Sequence, residues 1–178
     1  EQHPAPKLWI NPEIKNFYDR EKDSGQNYFG FHVTYQGHGP YSAESLDWVS
    51  QPVFSNPAVG EASSVILNNY LGSVSNTAEN IGNLVNELKK EDKPVLFVFF
   101  GDHKPWLGDG NSVYNELGVD LDVSEYDGFM NYYSTEYAIF ANDAAKELLG
   151  NDFVGTGPTI SPCFLMNELF SECSYEGN

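Results

Sequence analysis

Residues 94–108 read PVLFVFFGDHKPWLG, and the reading of this stretch decides the fold. From 95 to 100 every residue is apolar and most are β-branched or aromatic, with Pro94 before the run and Gly101 after it. Such a run predicts a strand buried on both faces, as strands are inside a parallel sheet. Where it stops, Asp102 and His103 follow at once. In open α/β sheets ligands bind beyond the carboxyl ends of the strands, so this carboxylate and imidazole stand where chemistry is expected.

Working outward, residues 28–35 (YFGFHVTY) predict a second buried strand, followed directly by QGHGPY at 36–41. Glycines on both sides of His38 allow a sharp turn and an exposed imidazole. His32 falls in mid-strand, where a core or face histidine with a backbone partner is the plainer reading. Between the two strands, the apolar positions Ile66, Leu67, Tyr70, Leu71, Val74, Ala78, Ile81, Leu84, Val85 and Leu88 recur at steps of three and four. They predict a long amphipathic helix over 61–90, which Gly72 and Gly82 weaken by up to ~1 kcal/mol each unless packing offsets it. Strand, helix, strand is a βαβ unit with parallel strands, so the loops carrying His38 and Asp102–His103 are expected on one edge of the sheet.

The flanks are plainer. A short helix is expected over 11–22, capped by Asn11 with Pro12 at its first position, and an irregular loop over 42–60. Residues 105–131 lack sustained periodicity and read as a long loop, pinned by Leu107, Val113, Leu117 and Val119 and placed to wall a substrate site. A strand at 136–140, a helix at 142–149 ended by Gly150, and a last helix capped by Ser161 complete the chain. The whole, 1–178, reads as one α/β domain.

Composition narrows the function. With 26 acidic against 9 basic residues the net charge is −17, which disfavours nucleic acid or anionic lipid as a partner of the general surface. No apolar run approaches the ~20 residues of a membrane helix. Two cysteines, Cys163 and Cys173, are too few for a disulfide scaffold or a four-thiolate zinc site, and free thiols are expected. There is no G-x-S-x-G elbow and no phosphate loop, so neither a serine hydrolase nor a P-loop nucleotide site is indicated.

Asp102 and His103 offer an oxygen and a nitrogen ligand that one turn can aim at a single divalent cation, a mixture suited to zinc or manganese. The plain alternative is an Asp turn former beside a surface His. Lys104 suits a phosphate or sulfate oxygen or is simply solvated; Trp106 stacks on a substrate or covers the loop, and covering is the safer expectation.

The ordered blocks FHVTYQGHGPY, NNYLGSVSNTAENIGNLVNELKK, VLFVFFGDHKPWLG, STEYAIFAN and TISPCFLMNELF resemble the later part of the sulfatase-type domain of lipoteichoic acid synthases. These are phosphoglycerol transferases of the alkaline phosphatase superfamily. The resemblance implies an alkaline-phosphatase-like α/β fold, here a partial one, with a mainly parallel sheet and flanking helices. It implies that Asp102 and His103 ligate a catalytic Mn2+ or Mg2+ and that His38 lies beside the transferred phosphate. It further implies a phosphatidylglycerol-like donor, a cell-envelope glycopolymer acceptor, and action at the extracellular face of a bacterial membrane by a membrane-anchored parent.

In that family the nucleophilic threonine and a further acidic ligand precede the strand matched by residues 28–35. The chain is therefore expected to be the C-terminal portion of the domain, with little activity alone, weak metal binding and a risk of self-association through an exposed sheet edge. Two alternatives stand beside this reading: a hydrolytic sulfatase or phosphodiesterase of the same superfamily acting on a sulfate or phosphate ester, and a non-catalytic binding domain.

Overall fold

The computed structural model describes residues 10–35 and 37–175. Gln36, within the His38 loop, and the prolines at 4 and 6 lie outside them. The chain divides into two compact units, one of Glu1–Leu84 with Asp102–Thr135 and one of Val85–Gly101 with Glu136–Asn178.

The first unit opens with α1 (Ile10–Glu21), which starts one residue ahead of the expected Asn11, and holds most of α2 (Glu61–Leu88). Ile66 and Leu67 of α2 pack with Leu107, Val113 and Tyr114 into a buried core, lined further by Tyr41, Phe54, Tyr70, Leu71, Leu117, Val119 and Leu121. The apolar anchors expected in 105–131 therefore do hold that region down. It is not the structureless loop its weak periodicity predicts: after a 3-10 turn at Asp109–Asn111 come α3 (Ser112–Glu116) and α4 (Tyr126–Tyr133). These helices are only five and eight residues long, so the spacing they carry is brief and is not sustained across the region.

The loop over 42–60 is tied to α2 by two consecutive, fully buried amides. Asn68 Oδ1 accepts from the Val53 and Phe54 amides at 2.7 and 2.8 Å, and its Nδ2 donates to the Phe54 and Ser64 carbonyls. Asn69 does the same for Asp47, Trp48, Ser42 and Ser45. Gly72 lets this loop touch the helix: a Cβ there would lie 2.6 Å from Val49 Cγ1 and 2.9 Å from the Trp48 carbonyl oxygen. The helix-weakening glycine is a packing requirement. Across the start of α2, the Glu116 carboxylate accepts from the Gly60 amide at 2.7 Å and the Ser63 hydroxyl at 2.6 Å. This anion caps the positive end of the helix, and the two hydrogen bonds hold the Glu116 carboxyl below its usual range.

In the second unit β1 (Leu96–Phe100) pairs with β2 (Tyr137–Ala141), Leu96 opposite Ala141 and Phe100 opposite Tyr137. The pairing is antiparallel, which corrects the mainly parallel sheet expected from sequence. Residues 28–35, the anticipated parallel neighbour, are irregular and form no strand. Phe29, Phe31, Val33 and Tyr35 are 69–84% exposed. Nor is β1 buried on both faces: Leu96, Phe99 and Phe100 are exposed by 36–40%. An apolar run records what its residues would bury, and here the described residues leave these side chains partly uncovered.

β2 leads into α5 (Asp143–Leu149), ended by Gly150, and the unit closes with a 3-10 turn at Pro162–Phe164 running into α6 (Leu165–Glu172). Both cysteines are free thiols.

Candidate metal centre

Asp102 and His103 leave the end of β1 in an irregular segment that reaches the core at Leu107. The His103 amide donates to Asp102 Oδ1 at 2.8 Å, closing a tight local turn. His103 Nδ1 lies 2.9 Å from the Lys104 carbonyl oxygen. A carbonyl only accepts, so Nδ1 carries the proton and the neutral ring keeps its lone pair on Nε2. That Nε2 stands 3.4 Å from Asp102 Oδ2. Two acceptors held so close are satisfied by a proton on Nε2, giving an ion pair, or by a shared cation. Metal-bound histidines ordinarily fix their second nitrogen on a carbonyl or carboxylate in this way. Both side chains face solvent, Asp102 at 82% and His103 at 54% exposure.

The segment beneath them is anchored residue by residue. Lys104 Nζ donates to the Ser134 carbonyl at 2.7 Å, just past the C-terminus of α4, where a cation also suits the helix dipole. The Tyr114 hydroxyl donates to the Pro105 carbonyl at 2.9 Å. Burial, reinforced by Tyr70, Tyr41 and Tyr132, pushes the Tyr114 phenol up to about 12, so it remains a donor throughout the neutral range. Leu107 is buried in the core.

His38 sits on a separate turn. Gly37 has φ of +82°, a left-handed conformation that glycine adopts without strain, and the Tyr41 hydroxyl donates to its carbonyl. The His38 ring stacks on Tyr35, centroids 4.3 Å apart, and its Nδ1 lies 2.6 Å from the Gly39 carbonyl oxygen. By the same reasoning Nδ1 is the donor and Nε2 is the free position. The Gly39–Pro40 peptide is cis. This turn packs on the Asp102 segment at one point, where a Cβ on Gly39 would be 3.6 Å from the Trp106 carbonyl oxygen.

Trp106 does not cover the loop. The residue is 73% exposed, with Nε1 3.5 Å from the Tyr132 hydroxyl. His32 departs from the plainer reading: it is exposed, lies in no strand, and its Nε2 is 3.2 Å from a side-chain hydroxyl, that of Tyr28.

The structure thus brings Asp102 and His103 together and sets the His38 turn against their segment. Among the described residues no group of three or more His, Cys, Asp or Glu converges as a metal cage. Asp102 and His103 fit a divalent ion as two members of a ligand set. Sequence reading missed Tyr114 as the prop under Pro105 and missed the aromatic helix α4, although the three- and four-residue spacing of Tyr126, Phe129, Met130 and Tyr133 was there to be read.

Comparison with known proteins agrees with the sulfatase part of the reading of the blocks. The sulfatase family model matches residues 11–145. Over 155 residues, 84% of the chain, the sequence is 28% identical to a Rhizobium meliloti (strain 1021) protein named "Putative cyclic beta-1,2-glucan modification protein". The chain spans 22% of that relative's length. A stretch of 19 residues, 11% of the chain, is 84% identical to part of a Bacillus licheniformis thymidylate synthase, covering 7% of that enzyme and too short to define a domain. No solved structure matches. With three quarters of its length under one family model, the chain belongs to the sulfatase family.

Proposed function

We propose that this chain carries part of the metal site of a sulfatase-superfamily enzyme that moves phosphoglycerol groups from a phosphatidylglycerol-like lipid to a cell-envelope glycopolymer. The observation that carries this reading is the Asp102–His103 pair: an exposed carboxylate oxygen and a tautomer-fixed imidazole nitrogen 3.4 Å apart. Sulfatase-family enzymes generally use a divalent metal. A relative named for glucan modification favours a glycan as the acceptor.

In this reading Asp102 and His103 are two ligands of Mn2+ or Mg2+, and the bound ion supplies Lewis-acid stabilisation of negative charge at phosphorus. His38, its Nδ1 held by Gly39, presents Nε2 to a phosphoryl oxygen and donates to it when protonated. Lys104 adds positive charge beside an anionic ester while its Nζ holds the Ser134 carbonyl. The donor lipid would place the reaction at the extracellular face of a bacterial membrane, in a membrane-anchored parent. The exposed apolar face at 28–35 would make the separate chain self-associate.

The test is a Mn2+ titration followed by electron paramagnetic resonance of the free ion. Asp102→Asn and His103→Gln should each weaken binding by about tenfold or more; unchanged binding would leave the pair as turn residues of a non-catalytic domain. In the protein that contains this chain, transfer of labelled glycerol phosphate to a β-glucan supports the transferase. Release of sulfate from an ester without such transfer selects the hydrolytic sulfatase.

A further inference from the structure

We infer that the aromatic face of α4, together with Trp106, is a binding surface for the sugar rings of an uncharged glycan. The inference deepens the proposed function and rests on its glycopolymer acceptor.

Tyr126, Phe129 and Tyr133 recur at three and four residues, so they share one side of α4, and they are 75%, 47% and 50% exposed. Phe129 and Tyr133 are in ring contact at 4.8 Å, and Tyr133 meets Tyr132 edge-on at 4.8 Å. Tyr132 in turn approaches Trp106 Nε1. Phe129, Tyr133, Tyr132 and Trp106 are therefore linked in one series that starts four residues after Asp102, with Tyr126 on the same side of the helix at its first turn. The exposed area of this band is on the order of 500 Å², comparable with the functional patches of soluble proteins.

The chemistry of the band selects its occupant. Planar rings present flat apolar faces, and Tyr and Trp carry polar tips, so the band matches a pyranose, which is apolar across its C–H face and polar around its rim. Exposed Glu125 and Asp127 flank the band and can accept from sugar hydroxyls. The same carboxylates, on a chain of net charge −17, repel a phosphate-rich membrane surface or an acidic partner. Lys104, close by in the chain, has its Nζ on the Ser134 carbonyl. A neutral polyol is the partner to which both the rings and the charges are complementary.

The probe is a β-1,2-linked gluco-oligosaccharide titrated into the chain without metal, followed by calorimetry and tryptophan fluorescence. Binding should be weakened about tenfold or more by Trp106→Ala and by Tyr126→Ala, both at exposed positions where melting temperature checks the fold, and be unaffected by Asp102→Asn. Equal binding by the aromatic variants, or no binding by the parent chain, overturns the inference, as does Trp106-dependent capture by phosphatidylglycerol vesicles in place of the sugar. No glycan binding by the unsubstituted chain, with its Mn2+ binding intact, would refute this surface alone. The opposite result would refute the metal reading alone.

Discussion

Asn142, which sequence reading marks only as the start of a helix, makes four hydrogen bonds through its side chain. Its Oδ1 accepts from the Val95 and Ala145 amides at 2.9 and 3.0 Å, capping α5 and holding the start of β1. Its Nδ2 donates to the Glu91 and Lys93 carbonyls. It is 1% exposed, so Asn142→Ala should strand several buried backbone groups and cost roughly 3 kcal/mol in chemical denaturation. Tyr114 makes a second residue-scale prediction. Its phenol ionises near 10 when unfolded and at about 12 when folded, so the folded state holds the proton more tightly. The stability this contributes is intact below pH 10 and is lost as pH rises toward 12. Tyr114→Phe should remove that step from the alkaline unfolding curve and cost about 1 kcal/mol at neutral pH. Asp102 and His103 were legible because they adjoin each other behind a distinctive apolar run. Asn142 and Tyr114 were not, because their partners are backbone groups that only folding brings near.

At the scale of elements, α2 was legible because its apolar period persists over 28 residues. Its two interior glycines looked alike in sequence and are opposite in structure. Gly82 is exposed with open space around its Cα, so Gly82→Ala should stabilise by about 0.5–1 kcal/mol. Gly72 lies under Trp48 and Val49, so Gly72→Ala should push the loop away and cost about 1–3 kcal/mol despite alanine's better propensity. Thermal melts of the two variants should move in opposite directions. Glu116 adds an acid-side effect: its lowered folded value contributes stability above the unfolded carboxyl range, lost as pH falls through the folded value. Glu116→Gln should lower the melting temperature at neutral pH and flatten its fall in acid. The failure at 28–35 has a different cause. Alternating aromatic and β-branched residues express a strand's preference, and pairing needs a neighbour that the pattern alone does not supply.

For the molecule as a whole, excess negative charge and exposed apolar side chains pull in opposite directions. Charge of −17 keeps copies apart at low ionic strength, and salt screens that repulsion beyond about 10 Å at 0.1 M. Added salt should therefore promote the proposed self-association. Phe31→Asp or Val33→Asp, at positions 69% and 84% exposed, should suppress it in sedimentation velocity without lowering the melting temperature. An increase in oligomer size insensitive to both variants would place the contact elsewhere.

The paired amides of Asn68 and Asn69 carry one more consequence. They grip the loop over 42–54 through its peptide groups, mostly without reference to its side chains. The shape of the loop is therefore written in the helix, while its own letters are comparatively free. A library randomised at exposed Val53 and Ser50 should retain folded members in abundance, whereas one randomised at Asn68 and Asn69 should retain very few. That makes the loop a place where this chain can acquire new surface chemistry by drift, with its backbone path already decided.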